Sequence, residues 1–334
     1  MDKLVEETVA DGRWFPLRFK ADAFHFAFIP PERHRDTAFL IYLQPPAEEM
    51  RAIARSALAE APAAQTDLHF ILHLGFGGST LLGKLLGQPG VAVTLQEPPV
   101  LTDIVVEGVA APPADSAQVL HETARLLARP IEDGEAVICK MTHVGNALGA
   151  PMAELHPTSQ ILCLQTPMQE MLLSLALRGM GGRISARTIF LAIHDANMSV
   201  IRLTDRDIAE YTDLHLAALA WLSMQKMMVD AADRLGPERV RSIVTSQLME
   251  NMPETLGAIA RHLRLDLDVD AGMANGMLER HSKTGEPFNP RRRAERIAEG
   301  LRTYGSDIEP VVKWARKLAE KTLVDLDLPY PLLR

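Results

Sequence analysis

The 334-residue sequence has few cysteines and no long apolar runs. Its two cysteines, Cys139 and Cys163, both lie in apolar stretches, which favours buried thiols over a disulfide or a metal-binding pair. No uninterrupted apolar stretch approaches the roughly 18 residues of a membrane span. The first 14 residues are acidic and have no apolar core, so they do not resemble a secretory signal. A cytoplasmic protein without a membrane span is the expectation.

Positive charge is also in deficit, and internal repeats are missing. There are 35 Lys and Arg against 43 Asp and Glu, a net charge of −8, which argues against a uniformly basic nucleic-acid binder. The absence of a period argues against coiled coils and repeat arrays. Hydrophobic residues make up 47 % of the chain, which excludes a wholly disordered protein.

Apolar runs alternate with helix-like segments through the middle of the chain. The runs predict buried strands at 68–74, 91–95, 136–140, 160–164 and 239–245. The segments predict helices at 48–61, 116–128, 168–177, most of 185–235, 253–263 and 291–323. This alternation predicts an α/β protein, a three-layer parallel sheet with helical additions. We interpret residues 1–65 as an N-terminal extension packed on an α/β domain spanning 66–334.

A glycine-rich stretch follows the first strand of the predicted sheet. Gly75, Gly77 and Gly78 precede Ser79 and Thr80, which open an apolar helix. Glycines allow a tight turn and close approach to a ligand, and the first N–H groups of a helix point toward it. The stretch is a candidate phosphate cradle. A plain strand–helix turn with serine or threonine as N-cap is an equally good interpretation.

Several common active-site motifs are excluded at this loop. It is not a Walker A sequence, because Lys84, the nearest lysine, is followed by leucine rather than by serine or threonine. Leu81 stands where the last glycine of a nucleophile elbow would be. No CxxC or HExxH pattern occurs, so no metal site is predicted. One predicted strand ends beside an acid, Glu97, and another ends in Lys140, a second catalytic candidate at the same edge.

The run from His73 to Leu101, HLGFGGSTLLGKLLGQPGVAVTLQEPPVL, resembles the 5′-phosphosulfate loop of P-loop sulfotransferases, especially bacterial members. The 17-residue spacing from Thr80 to Glu97 is similar to that in tyrosylprotein sulfotransferases, where the glutamate is the catalytic base. Later segments resemble the family in their order, so the resemblance covers about residues 68–320. These segments are 160–175, 242–265 and 280–293.

This resemblance implies a sulfotransferase that uses 3′-phosphoadenosine 5′-phosphosulfate as co-substrate, without a metal, on a hydroxyl of a small molecule or peptide. Glu97 would be the general base. Ser174 would bind the 3′-phosphate, and Lys283 would clamp the nucleotide from a late loop. The residues implied around the 5′-phosphosulfate are Gly75, Gly77, Gly78, Ser79, Thr80 and Leu81.

The sequence departs from the family pattern at Phe76 and Gln165, which occupy positions where the family carries a cation. Ser174 lies nine residues after Gln165, one more than the usual spacing. Three explanations stay open: other cations compensate, the donor differs, or the protein binds without catalysis. The cations available are Lys84, Lys140, Lys283 and Arg291–Arg293. A P-loop kinase using ATP and Mg²⁺ is a further alternative, and the sequence leaves homo-oligomerisation open.

Overall fold

The computed structural model describes residues 2–58, 61, 63–110, 116–270 and 290–333. The strands are β1 Trp14–Lys20, β2 Ala23–Phe28, β3 Met50–Ala54, β4 Leu68–His73, β5 Ala92–Gln96, β6 Ala136–Lys140, β7 Ile161–Gln165 and β8 Val240–Val244. The helices are α1 Lys3–Ala10, α2 Pro31–Asp36, α3 Arg55–Leu58, α4 Ser79–Leu86, α5 Pro99–Ala110, α6 Ser116–Leu127, α7 Gly149–Leu155, α8 Met168–Ala176, α9 Met180–Asp195, α10 Asp205–Glu210, α11 Asp213–Leu235, α12 Thr245–Glu250, α13 Met252–Leu263 and α14 Pro290–Thr322. Short 3₁₀ turns lie at Leu40–Tyr42, Ala47–Glu49 and Gly145–Leu148.

The central sheet confirms the α/β prediction. Five parallel strands lie in the order β5, β6, β4, β7, β8, with β4 in the middle. The chain leaves β4 toward β5 on one side and leaves β7 toward β8 on the other. The crevice between β4 and β7 is thus the point where connections diverge, and ligands bind outside the carboxyl ends of strands at such points.

Alternate residues of the strands face two apolar layers. On β4, Ile71 packs with the leucines of α4 and with α12 and α13. Phe70 and Leu72 of the same strand face the larger layer, which includes α5 to α8 and α11. Because strands covered on both faces have no polar face, they appear in the sequence as continuous apolar runs. Both cysteines are free thiols buried in these layers, as predicted.

A second, smaller sheet is built from residues before the central sheet. β1, β2 and β3 pair antiparallel in that order. The helix predicted at 48–61 is wrong: its first half is a 3₁₀ turn followed by β3, and Arg55–Leu58 is the α-helical part of its described residues. The residues are good helix formers, but pairing with β2 sets Ile53 opposite Phe24 and buries both, and this outweighs local propensity.

Two arginines join this smaller sheet to the rest of the chain. Arg18 of β1 donates two hydrogen bonds of 2.7 Å to the Asp103 carboxylate on α5. Arg129, only 3 % exposed, donates to the backbone carbonyls of Thr8 and Val9 in α1 and of Trp14 in β1. Because a buried guanidinium needs many acceptors, these carbonyls fix the position of α1 and β1 against the segment after α6.

Residue His34 makes stability depend on pH. This α2 side chain is 1 % exposed, packs edge-on against Phe15, and neither ring nitrogen has a hydrogen-bond partner in the described residues. Burial, with a smaller effect of Arg35, lowers the pKa of His34 from 6.5 to about 3. The unfolded chain therefore binds a proton at His34 near pH 6.5, whereas His34 of the folded chain stays neutral at that pH. The free energy of unfolding is expected to fall as the pH drops below 6.5, and His34 has no such effect above it.

We expect His34→Leu to remove this part of the acid sensitivity. At pH 4.5 the variant should exceed the wild type by about 2–3 kcal/mol in free energy of unfolding, and near pH 7.5 the two should be close. Urea denaturation at both pH values measures the difference. The control substitution is His121→Leu, at an exposed histidine of α6. An equal effect of His34→Leu at both pH values would contradict the expectation.

Candidate functional site

The glycine loop leaves β4 in a left-handed backbone conformation. Gly75, Phe76 and Gly78 have φ angles of 78°, 58° and 88°. Glycine adopts such angles at little cost, whereas phenylalanine is strained there. Backbone strain of this kind is concentrated at functional sites, where the surroundings hold it in place.

Two threonines from neighbouring strand ends hold the loop. Thr166, directly after β7, donates from Oγ1 to the Gly75 carbonyl oxygen at 3.0 Å. Thr245, directly after β8, lies 3.3 Å from the Thr166 hydroxyl and donates to the Gln165 carbonyl. A Cβ at Gly77 would collide with both hydroxyl oxygens. Glycine at position 77 is therefore required by packing, in addition to any role in binding.

The loop ends at the first turn of α4. Gly78 occupies the N-cap position, and no side-chain hydrogen bond caps the helix. The N–H groups of such a first turn have no partner within the helix, and the helix dipole makes this end positive. The Ser79 and Thr80 side chains are 5 % and 1 % exposed. The turn therefore has the groups that an anion cradle needs, with two hydroxyl groups beside the backbone amides.

A buried ion pair lies next to this turn. Lys140 ends β6 and is fully buried, and Glu97 follows β5 with a φ of 56°. The Lys140 Nζ lies 2.9 Å from Glu97 Oε1 and donates to Thr80 Oγ1 at 3.2 Å. The sequence predicted these three residues at one edge of the sheet, and the structure places Lys140 in contact with both of the others.

The charges of this pair determine its protonation. Burial raises the pKa of Glu97, but the combined effect of Lys140 and two histidines lowers it by more than burial raises it. The resulting pKa is about 2. Burial lowers the pKa of Lys140, against the opposing effect of Glu97. Glu97 is therefore a carboxylate at neutral pH. While it is paired, it is a weak proton acceptor.

His73, the last residue of β4, was missed in the sequence. Its Nδ1 accepts from the Gly75 N–H at 3.0 Å, and its Nε2 lies 2.9 Å from the Met141 carbonyl, which assigns the proton to Nε2. Burial lowers the pKa of His73 to about 3, so the ring is neutral. Its Nε2 is 3.6 Å from Glu97 Oε1. The sequence did contain a signal for His73, because the predicted buried strand has this histidine near its end, just before the glycine loop.

The N-terminal residues also reach the site. Lys140 Nζ lies 5.0 Å from the centre of the Phe39 ring, within range of a cation–π interaction. α2 packs against β5, and Lys84 of α4 approaches the Asp36 carbonyl at 3.5 Å. Nothing in the sequence pattern indicated that residues 36–39 would lie over this edge of the sheet.

A guanidinium lies at the mouth of the loop. The Arg178 CZ atom, in the turn after α8, is 4.7 Å from the centre of the Phe76 ring. Arg178 is exposed and Phe76 is half-buried. The position at which the resemblance implies a cation thus has an aromatic ring with a cation from another part of the chain stacked on it.

The other residues predicted for the site have no described contact with the Lys140–Glu97 ion pair. Gln165 donates from Nε2 to Gln225 and to the Leu326 carbonyl, so its amide group is engaged in packing. Ser174 is half-buried within α8. Leu81 is buried in the apolar layer below the loop. Lys283 lies outside the described residues, and of Arg291–Arg293 only the helical backbone is described.

Two negative findings apply to the described ranges. None of their helices combines the length and apolar character that crossing a bilayer requires. No group of three or more His, Cys, Asp or Glu side chains in these ranges could hold a metal ion.

Comparison with known proteins gave structural neighbours. No family model matches the sequence, and no curated protein matches it. The chain is similar to a sulfotransferase domain from the curacin biosynthetic pathway, with a TM-score of 0.40 and 14 % identity, covering 81 % of this chain and 95 % of that chain. It is also similar to a sulfotransferase from Alicyclobacillus acidocaldarius, with a TM-score of 0.41 and 14 % identity, covering 74 % and 97 %.

Proposed function

We propose that the protein transfers a sulfuryl group from 3′-phosphoadenosine 5′-phosphosulfate to a hydroxyl of a small molecule or peptide, with Glu97 as general base. The observation that carries the proposal is the contact of Lys140 with Thr80 at 3.2 Å and with Glu97 at 2.9 Å. These contacts unite an anion cradle, a cation and a carboxylate, which transfer of an anionic group to an alcohol requires.

In the proposed step the acceptor oxygen attacks sulfur, and the bond from sulfur to the bridging oxygen of the 5′-phosphate breaks. The Glu97 carboxylate takes the acceptor's proton, and the released electron pair stays on the phosphate oxygen. The first-turn amides of α4 and the Lys140 ammonium stabilise that charge. A positioned general base typically contributes about 10²–10⁴-fold in rate.

Lys140 would change partners during the reaction. While Glu97 is paired with Lys140, its pKa is about 2, which is too low for an efficient base at neutral pH. An anionic donor in the cradle competes with Glu97 for the same ammonium. As Lys140 turns toward the donor, the pKa of Glu97 rises because its main positive neighbour is lost. Glu97 would thus become an effective base only when the donor is bound.

The cradle fits the 5′ side of the nucleotide better than the 3′ side. The uncapped first turn and buried hydroxyl groups suit a phosphosulfate. On the 3′ side, the Gln165 amide is already engaged by Gln225 and Leu326. Arg178, stacked on Phe76, is the cation we propose as a replacement at the loop mouth. Its position makes it a contact for whichever anionic group extends past Phe76.

We expect Arg178→Ala to weaken binding of 3′-phosphoadenosine 5′-phosphate about three- to tenfold, because a charge-assisted contact is lost. The matched control is Arg183→Ala, five residues further on, whose guanidinium donates to Asp213. Titration calorimetry on both variants measures the difference. Equal affinities of the two variants for the bisphosphate would show that Arg178 does not contact it.

The function as a whole is tested by titrating the protein with 3′-phosphoadenosine 5′-phosphate without metal, beside a titration with ATP and Mg²⁺. Micromolar binding of the bisphosphate, about −8 kcal/mol, with weaker binding of ATP is the expected result. Tighter binding of ATP with Mg²⁺ would favour a kinase. Failure of the bisphosphate to bind would overturn the proposed donor.

A binding role without catalysis is the second candidate. It is favoured by the low pKa of Glu97, since a carboxylate held near pKa 2 accepts protons poorly. Such a protein would bind the bisphosphate but give no transfer to any of a panel of alcohols and phenols supplied with the donor.

A further inference from the structure

A cavity of about 360 Å³ opens at the opposite edge of the central sheet from the glycine loop. It lies at the amino ends of β7 and β8, beside the end of α13. Gln160, which precedes β7, and Arg241, the second residue of β8, are in its lining. The cavity has the size of a small-molecule site. The proposed transfer reaction does not use any of its residues.

The cavity lining is strongly cationic. Arg241, Arg261 and Arg264 contribute guanidinium groups, and His262 lies among them. The one carboxylate in this lining is Glu238, and none of the ion pairs within the described ranges includes any of the three arginines. Like charges that converge on one cavity repel one another, so an anion bound between them would be stabilised by all three.

Gln160 gives the cavity a polar floor. Its side chain is 3 % exposed, and its Oε1 has no hydrogen-bond partner in the described residues. Its backbone N–H is already fixed to His69 Nδ1 at 3.1 Å, so the residue is firmly placed. Buried side-chain acceptors are nearly always satisfied. Because this oxygen is shielded from solvent, a bound ligand does not reach it, and Gln160 closes the inner end of the cavity.

The backbone at Arg264 supports the same conclusion. Arg264 follows α13 in the left-handed conformation, with a φ of 57°, at a position where glycine is the usual residue. An arginine at that position is strained relative to glycine. Arg264 is part of the cavity lining, beside His262.

We propose that this cavity is a second ligand site, one that binds a phosphate monoester of a small molecule. The three guanidiniums and the Glu238 carboxylate leave a net charge of 3 − 1 = +2 in the lining, which balances a phosphate dianion. Guanidiniums form paired hydrogen bonds with phosphate oxygens. His262, whose Nε2 lies 2.9 Å from the Ile161 carbonyl, forms the wall between the ligand and β7.

The test uses glucose 6-phosphate, inorganic phosphate and acetate as probes, with calorimetry for affinity and the NMR signals of the His262 ring for location. The expected order of affinity is glucose 6-phosphate, then phosphate, then acetate, with His262 shifting on binding. Arg264→Gly and Arg241→Gln should each weaken glucose 6-phosphate binding about tenfold or more. Arg206→Gln, an exposed arginine of α10 paired with Glu210, is the matched control and should bind as the wild type does.

Arg264→Gly also guards against misfolding, because glycine relieves the strained backbone and the variant should unfold no more easily than the wild type. The proposal is overturned if either cavity variant binds glucose 6-phosphate as the wild type does, or if the His262 signals do not move. Acetate binding as tightly as glucose 6-phosphate would overturn the phosphate assignment. None of these outcomes depends on the glycine loop, so they are distinguishable from failure of the proposed transfer reaction.

Discussion

Replacing Glu97 with glutamine is expected to reduce transfer about 10²–10⁴-fold while leaving bisphosphate affinity unchanged or up to about tenfold tighter. The amide cannot accept the acceptor's proton. Its neutrality also removes a carboxylate that competes with the nucleotide for Lys140, 2.9 Å away. Loss of rate combined with equal or improved binding is specific to a base that is also a competing anion.

Rate is measured as release of 3′-phosphoadenosine 5′-phosphate with an alcohol acceptor found by screening, and affinity by calorimetry. Glu154→Gln, at a surface glutamate paired with Arg234, is the matched control. A parallel fall of rate and affinity in Glu97→Gln would contradict the base assignment, since the residue would then be needed mainly for binding. Thermal unfolding of each variant checks that both proteins are folded.

The second large effect is expected at Lys140. Lys140→Met has a similar volume but leaves the Glu97 carboxylate buried without its cation. Breaking a buried pair in this way costs about 3–5 kcal/mol in free energy of unfolding. Bisphosphate affinity should fall as well, because the ammonium beside Thr80 is lost. Lys84→Met, at a half-buried lysine of α4, is the control and should change stability far less.

A double variant separates the two contributions of Lys140. Adding Glu97→Gln to Lys140→Met removes the stranded charge, so the double variant should be more stable than Lys140→Met alone by roughly half the loss or more. Affinity for the bisphosphate should stay low, because the cation is still missing. A double variant as unstable as the sum of the single variants would mean that the two side chains do not interact energetically.

The sequence predicted the central sheet well because its signal is local. The run at 136–140 is a strand with those same bounds. The predicted strand 68–74 is one residue longer than β4 at its end, and the predicted strand 239–245 is one residue longer than β8 at each end. Strands covered on both faces are apolar throughout, and no alternative structure suits so short a run between turns. The helix prediction for 48–61 failed because the structure of this segment depends on pairing with β2, more than twenty residues earlier, and not on its own composition.

The candidate site was predictable only in part, for a related reason. Glu97, Lys140 and Thr80 were found because parallel strands bring their carboxyl ends to one edge. Phe39 and Arg178 reach the same edge from a loop and a turn whose paths no local pattern describes. The arginines of the second cavity are likewise separated along the chain, and the fold alone brings them together.

The attachment of the small sheet has a consequence for synthesis on the ribosome. β1 to β3 leave the exit tunnel before the central sheet, carrying Phe15, Phe24 and Phe26, all of which are buried in the finished protein. Their partners emerge much later, since Asp103 is 85 residues after Arg18, and Arg129 is 115 residues after Trp14. Until then the aromatic surface of the small sheet lacks the cover of α5, α6 and Arg129, and a chaperone has most to bind in this interval.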